Sequence, residues 1–473
     1  TTLLAALIGQ AISTIVIPML SFAEKKEGKY GKIIHTNNLL NVIMLISFLM
    51  MSIGWVMAPF VIKLLAHGFG DRQFDFAVKM MRIGLPVILL SSVVGVFRGY
   101  LQSEKKFTES AIADYPFNFV YIVFLLFLSS RFGIVGLMVT SVLAVASQIL
   151  LQIPALNKTG YKYKLTANIQ DPYLKKTMNL IPPVLISVGV NDFNKLVDRS
   201  LASGLSVGSV SALHYASRLK GLVLEVFITA ITTVIFPIIS EQANYEDYSN
   251  FKKTSRHGIN IILLITIPAS IGIIILSEPI VRIAFQRGEF DYQATTMTVA
   301  ALRFYSLGLV GMALRTFLSR IYYSLRDTKT PMINGAVGVG INVILNFILI
   351  NYMQHSGLAF ATSISATITS VLLLKGLKKK IGSLGHWKLI VCGIKSLLSS
   401  ILMGISVYTF YNVTGTFINY NALTELFGIL LAIFFGVTTY IVSIYYLKVE
   451  EIHWFANIVK NKFFKNDEKK YDI

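Results

Sequence analysis

The sequence predicts an all-α, polytopic membrane protein built from two pseudo-symmetric six-helix lobes and two additional C-terminal helices. Three observations predict this class: an apolar composition, basic loops that alternate along the chain, and an internal repeat. Of the 473 residues, 54% are hydrophobic and only 14% are charged. This composition excludes an ordinary water-soluble domain, which needs more charge on its surface.

The apolar residues form runs close to the ~20 residues that an α-helix needs to cross a hydrocarbon core about 30 Å thick. Small and hydroxyl residues extend several shorter runs, which membrane helices tolerate. We therefore predict about thirteen spans. Their approximate limits are 1–22, 38–66, 78–102, 110–129, 133–156, 177–201, 206–240, 258–281, 292–320, 331–352, 357–376, 389–412 and 424–447.

The formal net charge is +19, which raises the question of a nucleic-acid partner. The basic residues, however, are concentrated in alternate connections, including those around Lys29, Lys162, Lys253 and Lys379. This positive-inside pattern predicts that these loops and the C-terminus are cytoplasmic. The basic charge therefore indicates contact with anionic membrane lipids and no nucleic-acid partner.

An internal repeat relates the two halves of the chain. Segment 11–21 (AISTIVIPMLS) resembles segment 230–240 (AITTVIFPIIS), a shift of 219 residues, 230 minus 11. Nearly the same shift relates Arg82 to Arg303. Two copies in one orientation are typical of the parallel repeats of some transporters. The helix at 177–201 has no counterpart in the first copy, so we expect that this sequence lacks the first helix and that the complete chain has about fourteen spans.

The repeat and the loop charges together predict five regions. They are an N-lobe that lacks its first helix (1–156), a cytoplasmic linker (157–176), a C-lobe (177–380), two extra C-terminal membrane helices (381–450) and a basic cytoplasmic tail (451–473).

Polar residues within two predicted spans suggest a cation site. Asn342 and Asn346 are four residues apart, so they share one face of an otherwise apolar helix. Together with the Asp198 carboxylate and the oxygens of Leu358 and Thr362, they would suit a small hard cation such as Na⁺. Interhelical hydrogen bonds between amides are the alternative interpretation of the same residues.

Arg218 lies in the segment YASRLKG (215–221), in the first half of a long predicted span. A guanidinium is permanently charged and presents a planar fork that suits a phosphate group. Extension of the side chain to the membrane interface is the alternative interpretation.

Catalytic motifs are absent from the sequence: there is no phosphate-binding loop of the GxxxxGK[ST] type, no HExxH, and the seven histidines are scattered. The single cysteine, Cys392, falls in a predicted span, so no disulfide framework or cysteine metal site is expected. We therefore expect no enzymatic activity and no cofactor other than Na⁺ as a coupling ion. An ion gradient or the membrane potential would supply the energy.

Four segments resemble the MurJ/MviN lipid II flippases of the MOP exporter superfamily. They are GYLQSEKKF (99–107), VDRSLASGL (197–205), GSVSALHYASRL (208–219) and YSLRDTKTP (323–331). The resemblance covers essentially the whole chain.

This resemblance implies a monomeric carrier that moves lipid II, the undecaprenyl-pyrophosphate-linked peptidoglycan precursor, across the bacterial cytoplasmic membrane by alternating access. It implies that Arg218 contacts the pyrophosphate and that Asp198, Asn342, Asn346 and Thr362 fall where the family's sodium site lies. The alternatives are other MOP carriers, either a flippase for lipid-linked polysaccharide repeats or a cation-coupled drug antiporter.

Overall fold

The computed structural model describes residues 2–66, 68–166, 168, 170–243, 245, 247–417 and 422–450. The predicted basic tail at 451–473 lies outside these residues. The described chain consists of helices: α1 Thr2–Leu65, α2 Asp71–Gly84, α3 Pro86–Ser103, α4 Phe107–Ile112, α5 Asp114–Val123, α6 Ser129–Lys158, α7 Pro172–Ser203, α8 Ser209–Val223, α9 Thr229–Gln242, α10 Ser249–Phe285, α11 Tyr292–Leu307, α12 Leu309–Ser324, α13 Lys329–Ile381, α14 His386–Phe417 and α15 Ala422–Tyr446. Two π-helical turns, Phe124–Leu128 and Leu224–Ile228, join α5 to α6 and α8 to α9.

Helices long and apolar enough to cross a membrane account for most of the described residues. There are eight of them, or nine if the bent pair α11 and α12 forms one span. Two of the eight, Phe107–Lys158 and Lys329–Ile381, each contain two of the predicted spans. At 1.5 Å per residue, a straight helix of that length would be more than twice as long as the hydrocarbon core is thick. The prediction of a polytopic membrane protein is confirmed, while the number of spans stays a prediction.

Breaks within these helices recur at nearly the same shift, which supports the internal repeat. The backbone bends at Gly133 (φ 54°) in α6 and at Gln354 (φ 48°) in α13, 221 residues later. In the same way α2 and α3 meet at Leu85, whereas α11 and α12 meet at Gly308.

Helix ends repeat as well. The amide of Lys106 donates to the carbonyl of Leu101, and the amide of Asp327 donates to the carbonyl of Tyr322. Each pattern is a Schellman-type ending with a basic residue in the left-handed region, Lys105 in one copy and Arg326 in the other. The similarity therefore extends from sequence to backbone geometry.

The chain forms two compact units, 1–204 and 205–473. In the first unit, α1, α3 and α7 pack around a buried core that includes Tyr100 and Leu101. In the second unit, α9, α10, α12 and α13 surround Phe251, Phe317 and Ile321. Helix α7 is thus grouped with the first unit, although the repeat assigns it to the C-lobe. The predicted lobe boundaries stay a prediction.

Asparagine side chains hold the predicted linker against α1 in the first unit. Asn37, Asn38 and Asn41 occupy one face of α1 and are buried. Their amide groups donate to main-chain carbonyls of the linker, those of Lys162, Lys164, Thr166 and Asn168. Hydroxyl groups of Tyr161 and Tyr163 donate back to Asn37 and Asn41. Because the asparagines satisfy main-chain groups, the linker needs no regular secondary structure here.

The last two helices form a hairpin that packs against α10 in the second unit. At one end, the guanidinium of Arg282 donates to the carboxylate of Glu425, with Nε–Oε1 at 2.7 Å. At the other end, the Tyr440 hydroxyl donates to the carbonyl of Leu264 over 2.6 Å and contacts Ser396. These contacts fix both ends of the hairpin to one helix.

Candidate functional site

Four of the predicted cation-site residues meet in the second unit. The Asn342 amide donates to Thr362 Oγ1 over 3.3 Å, and the Asn346 amide donates to Asn342 Oδ1 over 2.9 Å. The Thr362 hydroxyl in turn donates to the carbonyl of Leu358 over 3.0 Å. The sequence therefore identified side chains that the fold brings together, which we call the asparagine cluster (Asn342, Asn346, Leu358 and Thr362).

The bend in α13 explains this proximity. Asn342 and Asn346 precede the bend at Gln354, whereas Leu358 and Thr362 follow it. A Cβ at Gly357 would approach the carbonyl oxygen of Leu349 to 2.6 Å, so only glycine allows the two segments this close. The sequence at the bend thus sets the geometry of the cluster.

The asparagine cluster is buried in a span. Asn342, Asn346 and Leu358 are each 0% exposed, and a polar group buried in a span is costly unless it is paired. Amide, hydroxyl and carbonyl oxygens are a donor set that fits Na⁺. In this structure hydrogen bonds from the two amide nitrogens and the threonine hydroxyl join the four residues, which is also the geometry of the alternative interpretation.

Asp198, the remaining predicted ligand, lies near the end of α7 in the first unit and is half-buried. The structure thus assembles the neutral part of the predicted cation site, and the inclusion of Asp198 stays a prediction. Within the described residues, no group of three or more His, Cys, Asp or Glu side chains forms a metal site.

Arg218 lies on the exposed face of α8. The buried residues of this helix are Ser209, Ala212, Leu213 and Ala216, and a helix of 3.6 residues per turn places Arg218 on the opposite side. Its side chain is exposed, and no hydrogen-bond or ion-pair partner is found for it among the described residues. The guanidinium is therefore available to an anionic ligand.

Contacts on either side of Arg218 fix α8 within the second unit. The Tyr215 ring packs 4.6 Å from the ring of Phe285 and 5.2 Å from that of Phe290. The Lys220 ammonium lies 3.9 Å from the centre of the Tyr305 ring, a cation–π contact. Arg218 thus projects from a helix that is held before and after it.

Glu225 was not identified from the sequence. It is exposed, lies two turns beyond Arg218 within an apolar span, and belongs to the π-helical turn that follows α8. Intramembrane charges and π-helical turns are both enriched at functional sites. Its position as an acidic residue in an apolar run is the sequence signal by which Glu225 could have been identified.

Comparison with known proteins relates this sequence to one family. The sequence model described as "Lipid II flippase MurJ" matches residues 1–431. A protein of Rickettsia prowazekii named "Probable lipid II flippase MurJ" is 29% identical over 400 residues, which are 83% of this chain and 77% of that protein. One of Haemophilus influenzae with the same name is 31% identical over 347 residues, 71% of this chain and 68% of that protein.

Solved structures show the same fold. The structure described as "Lipid II flippase MurJ, inward closed conformation" matches with a TM-score of 0.78 and 25% identity, covering 95% of this chain and 91% of that one. A multidrug resistance MATE family transporter of the MOP superfamily matches with a TM-score of 0.68 and 17% identity, over 81% of this chain and 88% of that one. The latter likeness is one of fold alone.

Proposed function

The chain belongs to the lipid II flippase MurJ family, and we propose that it carries lipid II across the bacterial cytoplasmic membrane by alternating access. The observation on which this function rests is the match of the family model to residues 1–431. The alternative, another MOP carrier, is not favoured, because the MATE structures share only the fold.

The chemistry of the substrate supports a role for Arg218. Lipid II carries a pyrophosphate, and a diphosphate that leaves water must exchange its hydration for protein groups, because a bare ion in hydrocarbon is far too costly. An exposed guanidinium inside a span, on a helix fixed by Tyr215 and Lys220, supplies permanent charge and a fork of donors. We assign Arg218 the pyrophosphate contact.

The asparagine cluster supports a second part of the proposal, coupling to Na⁺. The cluster offers neutral oxygens in a buried position, and the Asp198 carboxylate would add the charge that a monovalent cation needs. Sodium entering down its gradient would supply the free energy for transport.

The proposed orientation follows from the loop charges. The basic loops and the C-terminus face the cytoplasm, so the substrate is collected from the leaflet in which it is synthesised. A single copy of the chain is sufficient for transport in this proposal, since both copies of the repeat belong to one polypeptide.

Complementation tests the function together with the pyrophosphate contact. The gene, at its full length, should restore growth to a bacterium depleted of its own lipid II flippase. Arg218→Ala should fail although it inserts normally, and Arg218→Lys should be impaired, because it keeps the charge but loses the bidentate fork.

Arg287→Ala is the matched control, because Arg287 is exposed in a loop between α10 and α11 and its replacement should be neutral. Growth supported equally by Arg218→Ala and the parent, at equal membrane abundance, would show that the arginine assignment is wrong. Failure of the parent itself would count against the function.

A further inference from the structure

A cavity of about 180 Å³ lies at one end of the C-terminal hairpin, where α10, the start of α14 and the end of α15 meet. We call it the basic pocket. Its polar and aromatic lining consists of Asn260, Trp387, Lys388, Lys395, Lys448 and Glu450. These residues are distant in sequence and come together only because the hairpin packs on α10.

The lining is positively charged. Among the described residues, three lysines and one carboxylate, that of Glu450, line the pocket, which gives these side chains a net charge of +2. Lys388 and Lys395 are seven residues apart and so share a face of α14. The Lys388 ammonium is 3.7 Å from the Glu450 carboxylate, whereas Lys395 donates to the carbonyl of Lys448, over 3.4 Å. The pocket therefore holds more cationic charge than its own carboxylate neutralises.

Two further basic residues of α10 lie beside the loop that starts α14. A Cβ at Gly382 would come within 3.3 Å of the Lys252 ammonium, and a Cβ at Gly385 within 3.2 Å of the Arg256 guanidinium. Both glycines have left-handed backbones, φ 84° and 82°, so the loop is shaped to let these cations approach. They strengthen the positive potential at the entrance to α14.

Lys448 adopts a strained backbone. Its φ of 49° lies in the left-handed region, at the position after a helix where glycine is usual. Lys448 is exposed and lines the pocket, and its main-chain carbonyl accepts the hydrogen bond from Lys395.

The depth of the pocket corresponds to a membrane interface. Trp387, Tyr445 and Tyr446 are 75%, 64% and 77% exposed around it, at the ends of apolar spans. Exposed tryptophan and tyrosine at span ends form the aromatic belt that lies at the level of lipid headgroups. A ligand in the pocket would thus come from the bilayer surface.

We propose that the basic pocket binds the phosphate-bearing headgroup of an anionic phospholipid, with phosphatidylglycerol as the representative chemistry. The cavity is smaller than the ~300–1,000 Å³ of sites for whole drug-sized ligands, so it accommodates a headgroup while the acyl chains stay in the membrane. Lysines around a cavity between helices at this depth are the arrangement that recognises such headgroups. The bound lipid would bridge α10, α14 and α15.

Quenching of Trp387 provides a local test. The chain has three tryptophans, so replacing Trp55 and Trp454 with phenylalanine leaves Trp387 as the only reporter. In nanodiscs of phosphatidylcholine, brominated phosphatidylglycerol should quench Trp387 more strongly than brominated phosphatidylcholine does at the same mole fraction. High salt should reduce the difference.

Charge variants give the proposal two opposite tests. The triple variant Lys388→Gln/Lys395→Gln/Lys448→Gln should lose the preference for phosphatidylglycerol over phosphatidylcholine in the quenching of Trp387. We expect the affinity for the anionic lipid to fall by about fivefold for each lysine removed. Glu450→Gln should increase the preference, an effect that misfolding would not produce. The matched control, Lys25→Gln/Lys26→Gln/Lys29→Gln, removes the same charge from exposed residues elsewhere and should keep the full preference.

Three outcomes would overturn the proposal. Equal quenching by the two brominated lipids would show that the pocket does not select anionic headgroups. Displacement by inorganic phosphate at millimolar concentration would assign the pocket to the free ion. Displacement by undecaprenyl diphosphate at lower concentration than by phosphatidylglycerol would assign it to the transported lipid. None of these results depends on transport, so the proposed function is tested separately.

Discussion

Lys32 forms a buried ion cluster in α1, four residues after the helix bends at Gly28 (φ 72°). Its ammonium is 2.8 Å from the Glu24 carboxylate and 2.5 Å from that of Glu104, and its side chain is 0% exposed. The Tyr100 ring lies on another side, 5.3 Å from the ammonium to the ring centre. One cation therefore compensates two carboxylates, one within α1 and one directly after the end of α3.

We expect Lys32→Met to lower the free energy of unfolding by about 3 kcal/mol, because it leaves a largely buried carboxylate without its cation. Thermal unfolding in detergent measures the change. Lys29→Met removes an exposed lysine three residues away and should change stability by less than ~0.5 kcal/mol. The double variant Lys32→Met/Glu104→Gln should recover part of the loss, and no recovery would contradict the ion-cluster explanation.

Sodium binding is tested at the asparagine cluster. If the cluster and Asp198 bind Na⁺, replacing K⁺ with Na⁺ at constant ionic strength should raise the unfolding temperature of the parent. Asp198→Asn and Asn346→Ala should abolish that rise, whereas Asp75→Asn, at an exposed position in α2, should retain it. A full sodium response in Asp198→Asn would leave interhelical hydrogen bonding as the explanation of these residues.

Sequence reasoning identified the asparagine cluster because its signal is local: helical spacing of two asparagines in an apolar run, followed by a second short polar segment. It did not identify the partners of Lys32, because Glu104 is 72 residues away. The basic pocket was missed for the same reason, since its residues lie on three separate helices. The spacing of residues in the sequence predicts which face of a helix each one occupies. Which residue of another helix it contacts depends on how the helices pack.

Asp327 lies between α12 and α13, and its carboxylate is hydrogen-bonded to residues at both ends of α13. Its carboxylate accepts hydrogen bonds from the amide and hydroxyl of Thr330, at the start of α13. It also accepts one from the Lys380 ammonium, over 2.7 Å, at the other end of the same helix. Burial opposes ionisation, but the bonds from Lys380 and Thr330 outweigh it and lower the pKa of Asp327 to about 2.

A depressed pKa stabilises the folded state only while the carboxylate is charged, so this contribution is lost as pH falls from about 4 toward 2. We expect Asp327→Asn to destabilise the protein by about 1 kcal/mol at neutral pH, because solvent screens the pair with half-exposed Lys380, and the difference should shrink over that acid range. Lys380→Met should raise the pKa of Asp327 and move the loss to higher pH. A difference independent of pH between the parent and Asp327→Asn would contradict the assignment.

At the scale of elements, the sequence predicted the repeat but not where its helices bend. The two copies place different residues at the equivalent bend, Gly133 in one and Gln354 in the other. Glycine allows a left-handed backbone, whereas glutamine adopts it only under constraint from tertiary packing. The predicted spans 206–240 and 292–320 are interrupted by the π-helical turn Leu224–Ile228 and by Gly308 (φ −92°), so these two interruptions do not involve a left-handed backbone.

At the scale of the whole molecule, the alternation of basic loops predicts the orientation in the membrane. With the buried Cys392 replaced by serine, a cysteine at exposed Arg287 should react with an impermeant thiol reagent from outside the cell. A cysteine at exposed Lys29 should react only after the membrane is permeabilised. Labelling of both positions from outside would overturn the orientation.

Fold class followed from composition, charge pattern and repeat, because these features are properties of the whole chain and tolerate local error. The family followed from the resemblance of four short segments, 99–107, 197–205, 208–219 and 323–331. The comparisons confirmed both with a family match over residues 1–431 and a structural match over 95% of the chain. Which residues contact the substrate is decided by individual side chains, and there the sequence left two interpretations of Arg218 open.

The most direct test of the proposed function is translocation of lipid II by the purified, full-length protein in liposomes. Fluorescent lipid II in the inner leaflet should become accessible to an impermeant reductant, so that fluorescence falls below the plateau of protein-free liposomes. Arg218→Ala liposomes should stay at that plateau, whereas Arg287→Ala liposomes should behave like the parent. Parent liposomes that cannot be distinguished from protein-free liposomes, under an imposed sodium gradient and membrane potential, would contradict the account.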